Sequence, residues 1–230
     1  MNNMRNGKIA PSVMCVDFMK LGETLKLFEE NQIEYIHVDI MDGEFVPNYT
    51  LGTDFCKMLK QNTTIPLDIH LMIKNPENKL GWFTFDENDY VSVHYESTPH
   101  IHRALATIKR MGGKPMLALN PATPLSCIEH LLDDMDALLL MTVDPGFAGQ
   151  KLIPQMLDKI RSTRAFLDER GYKHIELEVD GNVSFENAQK MYEAGADIFV
   201  AGSSSLFDKS LNMREATAKL RSCIGMSESL

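Results

Sequence analysis

The alternation of short apolar runs with longer mixed segments constrains the fold of this chain more than any other feature. A strand-like run followed by a helical segment recurs eight times. The predicted strands are Ile9–Met14, Tyr35–Ile40, Leu67–Met72, Tyr90–His94, Pro115–Leu119, Ala137–Val143, Ile175–Val179 and Ile198–Ala201. Regular strand–helix alternation predicts a parallel sheet with right-handed crossovers.

Several intervening segments have the composition of surface helices. Predicted helices lie within Leu21–Glu30, Ile101–Met111, Pro154–Arg170 and Asn187–Ala194, and the last is followed by Gly195, a residue typical of helix C-termini. The segment Asn75–Glu87 has no clean helical period, so the third unit is the least regular.

Eight such units in 230 residues predict an α/β protein with a (β/α)₈ barrel. The structural alternative is an open doubly wound sheet, which usually has a glycine-rich first turn. Here the first turn is Met14-Cys15-Val16-Asp17. Because no linker, composition shift or low-complexity tract interrupts the chain, we expect one domain over residues 1–230.

Charge and cysteine usage exclude several classes of function. The net charge of −9 and the lack of a basic run argue against nucleic-acid or anionic-membrane partners. The four cysteines are far apart and form no C-x-x-C pair, as is usual in a reducing compartment. Residues 1–7 lack the apolar segment of a secretory signal, and no run approaches 18 apolar residues. We therefore expect a cytoplasmic protein without a membrane span.

Two imidazoles and two carboxylates come at or near the ends of three predicted strands. His37 and Asp39 are two residues apart in a strand and point to the same face, while His70 and Asp180 end other strands. A lone histidine is more often structural, but four such groups at the catalytic rim of a barrel favour a function. One divalent metal ion would balance the buried carboxylates, and this ligand set accepts zinc, iron(II), manganese or cobalt. The aspartates could also serve as acid and base.

Other residues near the strand ends allow two interpretations each. Ser12 is either a turn hydroxyl or a substrate hydrogen-bonding group. Met41, Met72 and Met141 are either soft core filler or an apolar lining that limits water near a reactive intermediate. We assign structural roles to the remaining histidines, with a position near the mouth possible for the first of them: His94, His100, His102, His130 and His174.

Three glycine-containing turns follow the last three predicted strands. Turns of this kind bring backbone N–H groups close to phosphate oxygens, and in barrels they often form a phosphate site. The candidate phosphate-binding residues are Gly146, Phe147, Ala148, Gly149, Gly181, Asn182, Gly202, Ser203 and Ser204. Neither a P-loop nor a G-x-G-x-x-G motif occurs, which argues against nucleoside triphosphates and dinucleotides.

The motifs around these residues resemble those of the ribulose-phosphate 3-epimerase family, in the right order and over nearly the whole chain. They are Ile9-Ala10-Pro11-Ser12, His37-Val38-Asp39-Ile40-Met41-Asp42-Gly43, Phe45-Val46-Pro47-Asn48, Asp68-Ile69-His70-Leu71-Met72, Met141-Thr142-Val143-Asp144-Pro145-Gly146-Phe147 and Glu178-Val179-Asp180-Gly181.

This resemblance implies a TIM barrel with a phosphate site of the ribulose-phosphate-binding type. It implies a divalent metal ion held by His37, Asp39, His70 and Asp180, with the two aspartates as the acid/base pair that inverts C3 of a ketose phosphate. It further implies that Ser12 and His70 touch substrate, that the three glycine turns bind phosphate, and that the protein is a homo-oligomer.

Within the family, some details resemble members that convert D-allulose 6-phosphate to D-fructose 6-phosphate. These are the segments 12–17 and 153–159, together with Asp144 and Ala148 in the sixth turn. We therefore expect the six-carbon substrate, with epimerisation of D-ribulose 5-phosphate to D-xylulose 5-phosphate as the alternative. Asn182 departs from the Gly-Gly usual in pentose-phosphate members, and the loop Asn75–Glu87 matches neither group.

Two rival functions are less compatible with these residues. Related phosphate-binding decarboxylases and lyases carry Asp-x-Lys at the end of the third strand, whereas this chain has Asp68-Ile69-His70. A non-catalytic sugar-phosphate sensor would be expected to lose one of the acidic or metal-binding residues. None is lost.

Overall fold

Nine strands form one continuous curled sheet in the computed structural model, which describes residues 6–225. The strands are β1 (Lys8–Pro11), β2 (Ile36–Asp42), β3 (Tyr49–Thr50), β4 (Leu67–Met72), β5 (Tyr90–His94), β6 (Lys114–Leu119), β7 (Ala137–Met141), β8 (Glu176–Asp180) and β9 (Ile198–Ala201). Residues 1–5, on which most of the signal-peptide prediction rests, lie outside the described range.

The strand order confirms the predicted barrel and adds one strand to it. The order is β1-β9-β8-β7-β6-β5-β4-β2-β3, with parallel pairing between the eight main strands. The barrel closes between β1 and β2 through a parallel bridge from Ser12 to His37 and a 3.4 Å hydrogen bond from the Tyr35 N–H to the Ile9 carbonyl. The unpredicted β3 has two residues and pairs antiparallel with the end of β2.

Six α-helices surround the sheet in the described part of the chain. They are α1 (Leu21–Glu30), α2 (Thr53–Asn62), α3 (Ile101–Arg110), α4 (Met156–Glu169), α5 (Phe185–Ala194) and α6 (Met213–Cys223). The expectation of a helix after every strand is therefore wrong for two units. After β4 and β6 the chain forms short 3-10 helices, Pro76–Asn78, Leu80–Trp82, Leu125–Ile128 and Leu132–Asp134. The segment Asn75–Glu87 already lacks a helical period, and Pro76 and Pro124 stand at the starts of their segments, where proline is tolerated.

Alternate strand residues face opposite sides of the barrel wall, and both sides are buried. The outward residues, such as Ile69 and Leu138, belong to the main core that the helices cover, while Met116 and Leu139 belong to a separate cluster inside the barrel. Within residues 6–225, no helix combines the length and the apolar character needed to cross a membrane.

Candidate active site

The register of β2 and β4 brings two pairs of polar residues side by side inside the barrel. His37 lies opposite Asp68, and Asp39 lies opposite His70. All four are buried, with an exposed fraction of 6% for Asp39 and zero for the other three. On the far side of the barrel, β8 ends at Asp180. The fold therefore brings groups from three strands to one position.

Four potential metal-ligand atoms lie within 4.8 Å of one another, one each from His37, Asp39, His70 and Asp180. His37 Nε2 is 3.2 Å from Asp39 Oδ1. His70 Nδ1 is 3.4 Å from the same Asp39 oxygen and 3.8 Å from Asp180 Oδ2. The sequence-predicted ligand set is thus brought together in the structure.

Ser12 belongs to the same group. Its hydroxyl donates a 2.8 Å hydrogen bond to Asp39 Oδ2, so the two oxygens of Asp39 have different partners. The bridge between Ser12 and His37 sets this position, because it aligns the residue after β1 with β2. The Ser12 hydroxyl therefore contacts a candidate metal ligand, and its contact with substrate stays a prediction.

The pKa values in the cluster are strongly perturbed. Burial opposes the charged form of Asp39, but its contacts with His37 and His70 lower the pKa well below its ordinary value. Burial raises the pKa of Asp180 to about 6, although the nearby His37 acts in the opposite direction. For His37, burial lowers the pKa but Asp68 and Asp39 outweigh it and raise the value. Such opposed shifts are typical of functional sites.

The donor atoms of these four residues are chemically suited to bind a divalent cation. Two imidazole nitrogens and two carboxylate oxygens are the donors that borderline metals prefer. The Nδ1 atom of His70 is buried and lacks a hydrogen-bond partner, although it faces two carboxylates. A cation would satisfy that nitrogen and neutralise charges that are costly in a buried environment. The cluster is therefore consistent with a divalent metal site.

Further polar groups contact the ring nitrogens of His37 and His70 that do not face the cluster. His37 Nδ1 forms a short hydrogen bond with Asp68, and His70 Nε2 lies 2.8 Å from His94 Nε2. The two imidazole planes are inclined by 26° with centroids 5.0 Å apart, so the rings meet edge to edge through these nitrogens. Burial lowers the pKa of His94 to about 4, although Glu96 acts against this, so His94 is neutral near pH 7.

Glu178 extends the buried polar set further into the barrel. Its side chain is fully buried, and one carboxylate oxygen lies 3.6 Å from His37 Nδ1. Burial, and after it the proximity of Asp68, raises the pKa of Glu178 well above its ordinary value. The raised pKa favours the protonated form of Glu178.

A cavity of about 720 Å³, including the open solvent at its mouth, lies above Asp39 and Asp180. Met41, Met72 and Met141 line it and are at most 6% exposed. The structure therefore places all three predicted methionines at the cavity wall.

The three predicted phosphate turns also line this cavity. Positive φ angles occur at Gly146 (120°), Gly149 (84°), Gly181 (120°) and Asn182 (50°). At Gly181 a Cβ atom would lie only 2.6 Å from Val143 Cγ2, so both the backbone conformation and the close packing require glycine. The nine predicted phosphate-binding residues all face the same space as the polar cluster.

Asn182 takes the left-handed conformation that glycine would otherwise supply. Its side-chain oxygen accepts hydrogen bonds from the Leu152 N–H at 3.1 Å and from the Asn187 side chain at 2.9 Å. The turn after β8 is thereby joined to the segment that follows the turn after β7. Asparagine tolerates this conformation better than most residues.

Sequence reasoning missed three buried polar residues and one thiol. The structural role assigned to His94 overlooked its contact with His70, and neither Asp68 nor Glu178 was singled out. The two-residue period of strands, applied from His70 and Asp180, could have found Asp68 and Glu178 as inward-facing. His94 lies on β5, which contains none of the predicted ligands. Cys15 lines the cavity as well. The other histidines lie away from the cavity lining, in α3 or in turns: His100, His102, His130 and His174.

Comparison with known proteins gives close matches along the chain. The model of the family described as "Ribulose-phosphate 3 epimerase family" matches residues 8–207. A ribulose-phosphate 3-epimerase of Bacillus subtilis is 46% identical over 196 residues, which is 85% of this chain and 90% of that protein. The protein of the same name from Methanocaldococcus jannaschii is 42% identical over 214 residues, 93% of this chain and 89% of the relative.

Solved structures with distant sequences share the fold. KGPDC from Streptococcus mutans, in complex with D-R5P, has a TM-score of 0.68 at 14% identity and covers 96% of this chain and 98% of its own. Orotidine 5'-phosphate decarboxylase from Pyrococcus horikoshii has a TM-score of 0.64 at 17% identity, covering 94% of this chain and 98% of its own. At such identities the likeness concerns the fold alone.

Proposed function

We propose that this chain, which belongs to the ribulose-phosphate 3-epimerase family, interconverts D-ribulose 5-phosphate and D-xylulose 5-phosphate. Family membership makes the protein an isomerase that acts as a ketose-phosphate 3-epimerase. The observation that carries the proposal is the convergence of His37, Asp39, His70 and Asp180 beneath a cavity with three glycine-containing turns. A proton-transfer site next to a phosphate anchor is what C3 epimerisation requires.

The choice of the five-carbon substrate rests on the relatives. Proteins at 40–46% identity from bacteria, an archaeon and a plant are named ribulose-phosphate or ribulose-5-phosphate 3-epimerases. These names support the five-carbon sugar better than the six-carbon sugar that Asp144 and Ala148 suggested. D-Allulose 6-phosphate therefore becomes the second substrate to test.

A divalent cation held by His37, Asp39, His70 and Asp180 would supply Lewis-acid stabilisation for the negative charge that develops beside the ketone. The donor set is compatible with zinc, iron(II), manganese or cobalt.

Asp39 and Asp180 would transfer the protons. The C3 hydrogen is acidic because it lies next to the C2 carbonyl, and its removal leaves a planar enediolate. One aspartate, as carboxylate, accepts the C3 proton, and the other, as carboxylic acid, donates a proton to the opposite face. The two aspartates exchange protonation states in each conversion, and exchange with solvent restores them. The hydrogen bond from Ser12 to Asp39 Oδ2 would orient that carboxylate.

The remaining cavity residues would position the sugar and exclude water. Backbone N–H groups of the glycine turns would bind phosphate locally, which matters because the net charge of −9 offers no general attraction for an anion. An anchored phosphate gives the positional accuracy that proton transfer needs. The side chains of Met41, Met72 and Met141 would limit water around the enediolate.

The experiment that tests this function is proton NMR of the purified, metal-loaded protein in D₂O. D-Ribulose 5-phosphate and D-allulose 6-phosphate are supplied separately, and the C3 signal is followed against a sample without protein. Faster exchange and epimerisation of the five-carbon sugar support the proposal. A clear preference for the six-carbon sugar would move the substrate, and no C3 exchange with either sugar would refute the epimerase function.

Three expectations from the sequence stay predictions. They are the single domain over residues 1–230, the homo-oligomer and the cytoplasmic location. Sedimentation of the purified protein tests the second.

A further inference from the structure

We propose that Asp68 and His94 are positioning residues that fix the two metal-site histidines in opposite tautomers. His37 would carry its hydrogen on Nδ1 and present Nε2, whereas His70 would carry its hydrogen on Nε2 and present Nδ1. The inference deepens the proposed function, since it rests on the metal site assigned there. It concerns how the barrel interior prepares the site before any sugar binds.

His37 has a different partner at each of its two ring nitrogens. Its Nδ1 atom forms a short hydrogen bond with Asp68, while Nε2 faces the cluster 3.2 Å from Asp39 Oδ1. A carboxylate only accepts hydrogen bonds, so Asp68 requires a hydrogen on Nδ1. Asp68 is fully buried, and the register of β2 and β4 places it directly opposite His37. Nε2 is then the nitrogen available to a cation.

The His70 ring has the opposite orientation, with Nδ1 and not Nε2 towards the cluster. Its Nε2 atom lies 2.8 Å from His94 Nε2, so one of these two nitrogens must carry a hydrogen. His94 Nδ1 makes no hydrogen bond within the described residues, but it faces the Glu96 carboxylate with Oε2 3.4 Å away, and a nearby negative charge favours a hydrogen on that nitrogen. His94 Nε2 is then an acceptor, and His70 donates to it. The bare Nδ1 of His70 faces Asp39 and Asp180.

These contacts have a functional consequence for the site. A ligand histidine whose second nitrogen is hydrogen-bonded has a fixed ring orientation and tautomer, and loss of such a partner typically weakens metal binding about 10–100-fold. A ligand histidine without such a partner would have to adopt the correct tautomer when the cation binds. In this barrel two different outer partners make that selection, a carboxylate for His37 and a neutral imidazole for His70.

The deciding measurement is a long-range ¹H–¹⁵N correlation spectrum of histidine-labelled protein, recorded without metal and again after zinc loading, because bound zinc by itself places the hydrogen on the opposite ring nitrogen. We expect His37 to show its hydrogen on Nδ1 and His70 to show its hydrogen on Nε2. The same tautomer for both rings, or the reverse assignment, would overturn the inference. This spectrum uses the unmodified chain, so it decides the matter even where a variant fails to fold.

Variants measure the strength of each contact through zinc affinity, read by competition with a chromophoric chelator. Asp68→Asn and His94→Phe should each weaken zinc binding about 10–100-fold. Asp89→Asn is the matched control, because Asp89 is also buried and hydrogen-bonded, to the Leu67 N–H at 2.8 Å, but lies outside the cluster. Unchanged zinc affinity in both test variants would contradict the positioning role.

These readouts are independent of the sugar substrate. Absence of C3 exchange in the wild-type protein would refute the proposed function and leave the tautomer assignment standing. Identical tautomers in a protein that epimerises its substrate would refute this inference alone.

Discussion

The side chain of Asn48 donates a 3.0 Å hydrogen bond to the backbone carbonyl of Gly146. Asn48 lies in the loop between β2 and β3, and Gly146 lies in the cavity-lining turn after β7. The loop that follows two of the candidate metal ligands is thereby joined to a candidate phosphate turn. Val46 also packs there, since a Cβ atom at Gly146 would lie 3.1 Å from Val46 Cβ.

We expect Asn48→Ala to raise the KM for the sugar phosphate more than it lowers kcat. Loss of one such hydrogen bond costs about 0.5–1.5 kcal/mol, which corresponds to roughly a two- to tenfold change. Steady-state kinetics check this. Asn62→Ala is the control, because the Asn62 side chain also bonds a backbone carbonyl, that of Met58, but on an exposed helix end. Equal KM values in both variants would show that the turn does not depend on Asn48.

Replacement of either acid/base candidate should abolish most of the activity without unfolding the protein. Asp39→Asn or Asp180→Asn removes a proton carrier, and such groups typically contribute about 10²–10⁴-fold to rate. C3 hydrogen exchange in D₂O measures the loss, and circular dichroism verifies the fold. The exposed Asp54→Asn on α2 controls for the loss of a negative charge. Near-normal turnover by either site variant would contradict the two-carboxylate scheme.

Gly181→Ala should impair phosphate binding and stability together. The residue has a φ of 120°, and an added Cβ would lie 2.6 Å from Val143 Cγ2 and 2.9 Å from Thr142 Oγ1. We expect at least a tenfold rise in KM and a lower melting temperature. Gly171→Ala separates backbone strain from the clash, because Gly171 has a φ of 86° and open space around its Cβ position. An equal KM effect at both glycines would contradict a local role for the turn.

Glu96 should contribute to acid sensitivity. Burial opposes its charge, but the nearby His94 and hydrogen bonds from Thr123 and the Asn120 N–H lower the pKa of Glu96 to about 2, from an ordinary value of 4.5. A lowered pKa stabilises the folded state above pH 4.5, and that contribution is lost as the pH falls from 4.5 towards 2.

Glu96→Gln should therefore reduce stability at pH 7, by about 1–2 kcal/mol, and flatten the pH dependence below pH 4.5. Urea unfolding of metal-free protein across this range provides the comparison. The exposed Glu87→Gln variant should keep the wild-type slope. If Glu96→Gln also keeps that slope, the charge of Glu96 does not contribute.

Local sequence patterns were sufficient to predict the eight main strands but not all of the segments that connect them. Leu67–Met72 was predicted with the bounds that the structure has, because a buried run between polar segments has few alternatives. The absence of an α-helix after this strand also had a local signal, because Asn75–Glu87 has no helical period. By contrast, β3 could not be foreseen, since its two residues are extended only through pairing with Met41 and Asp42.

The sequence by itself determined the barrel class, the family and the residue types of the candidate site. The two-residue period of each strand already directs His37 and Asp39 to one face. Only the tertiary structure decided that Asp68 lies behind His37 and that His94 lies behind His70. The physical reason is that register arises from hydrogen bonds between strands distant in the chain, and the pattern of a single strand does not specify its neighbour's alignment.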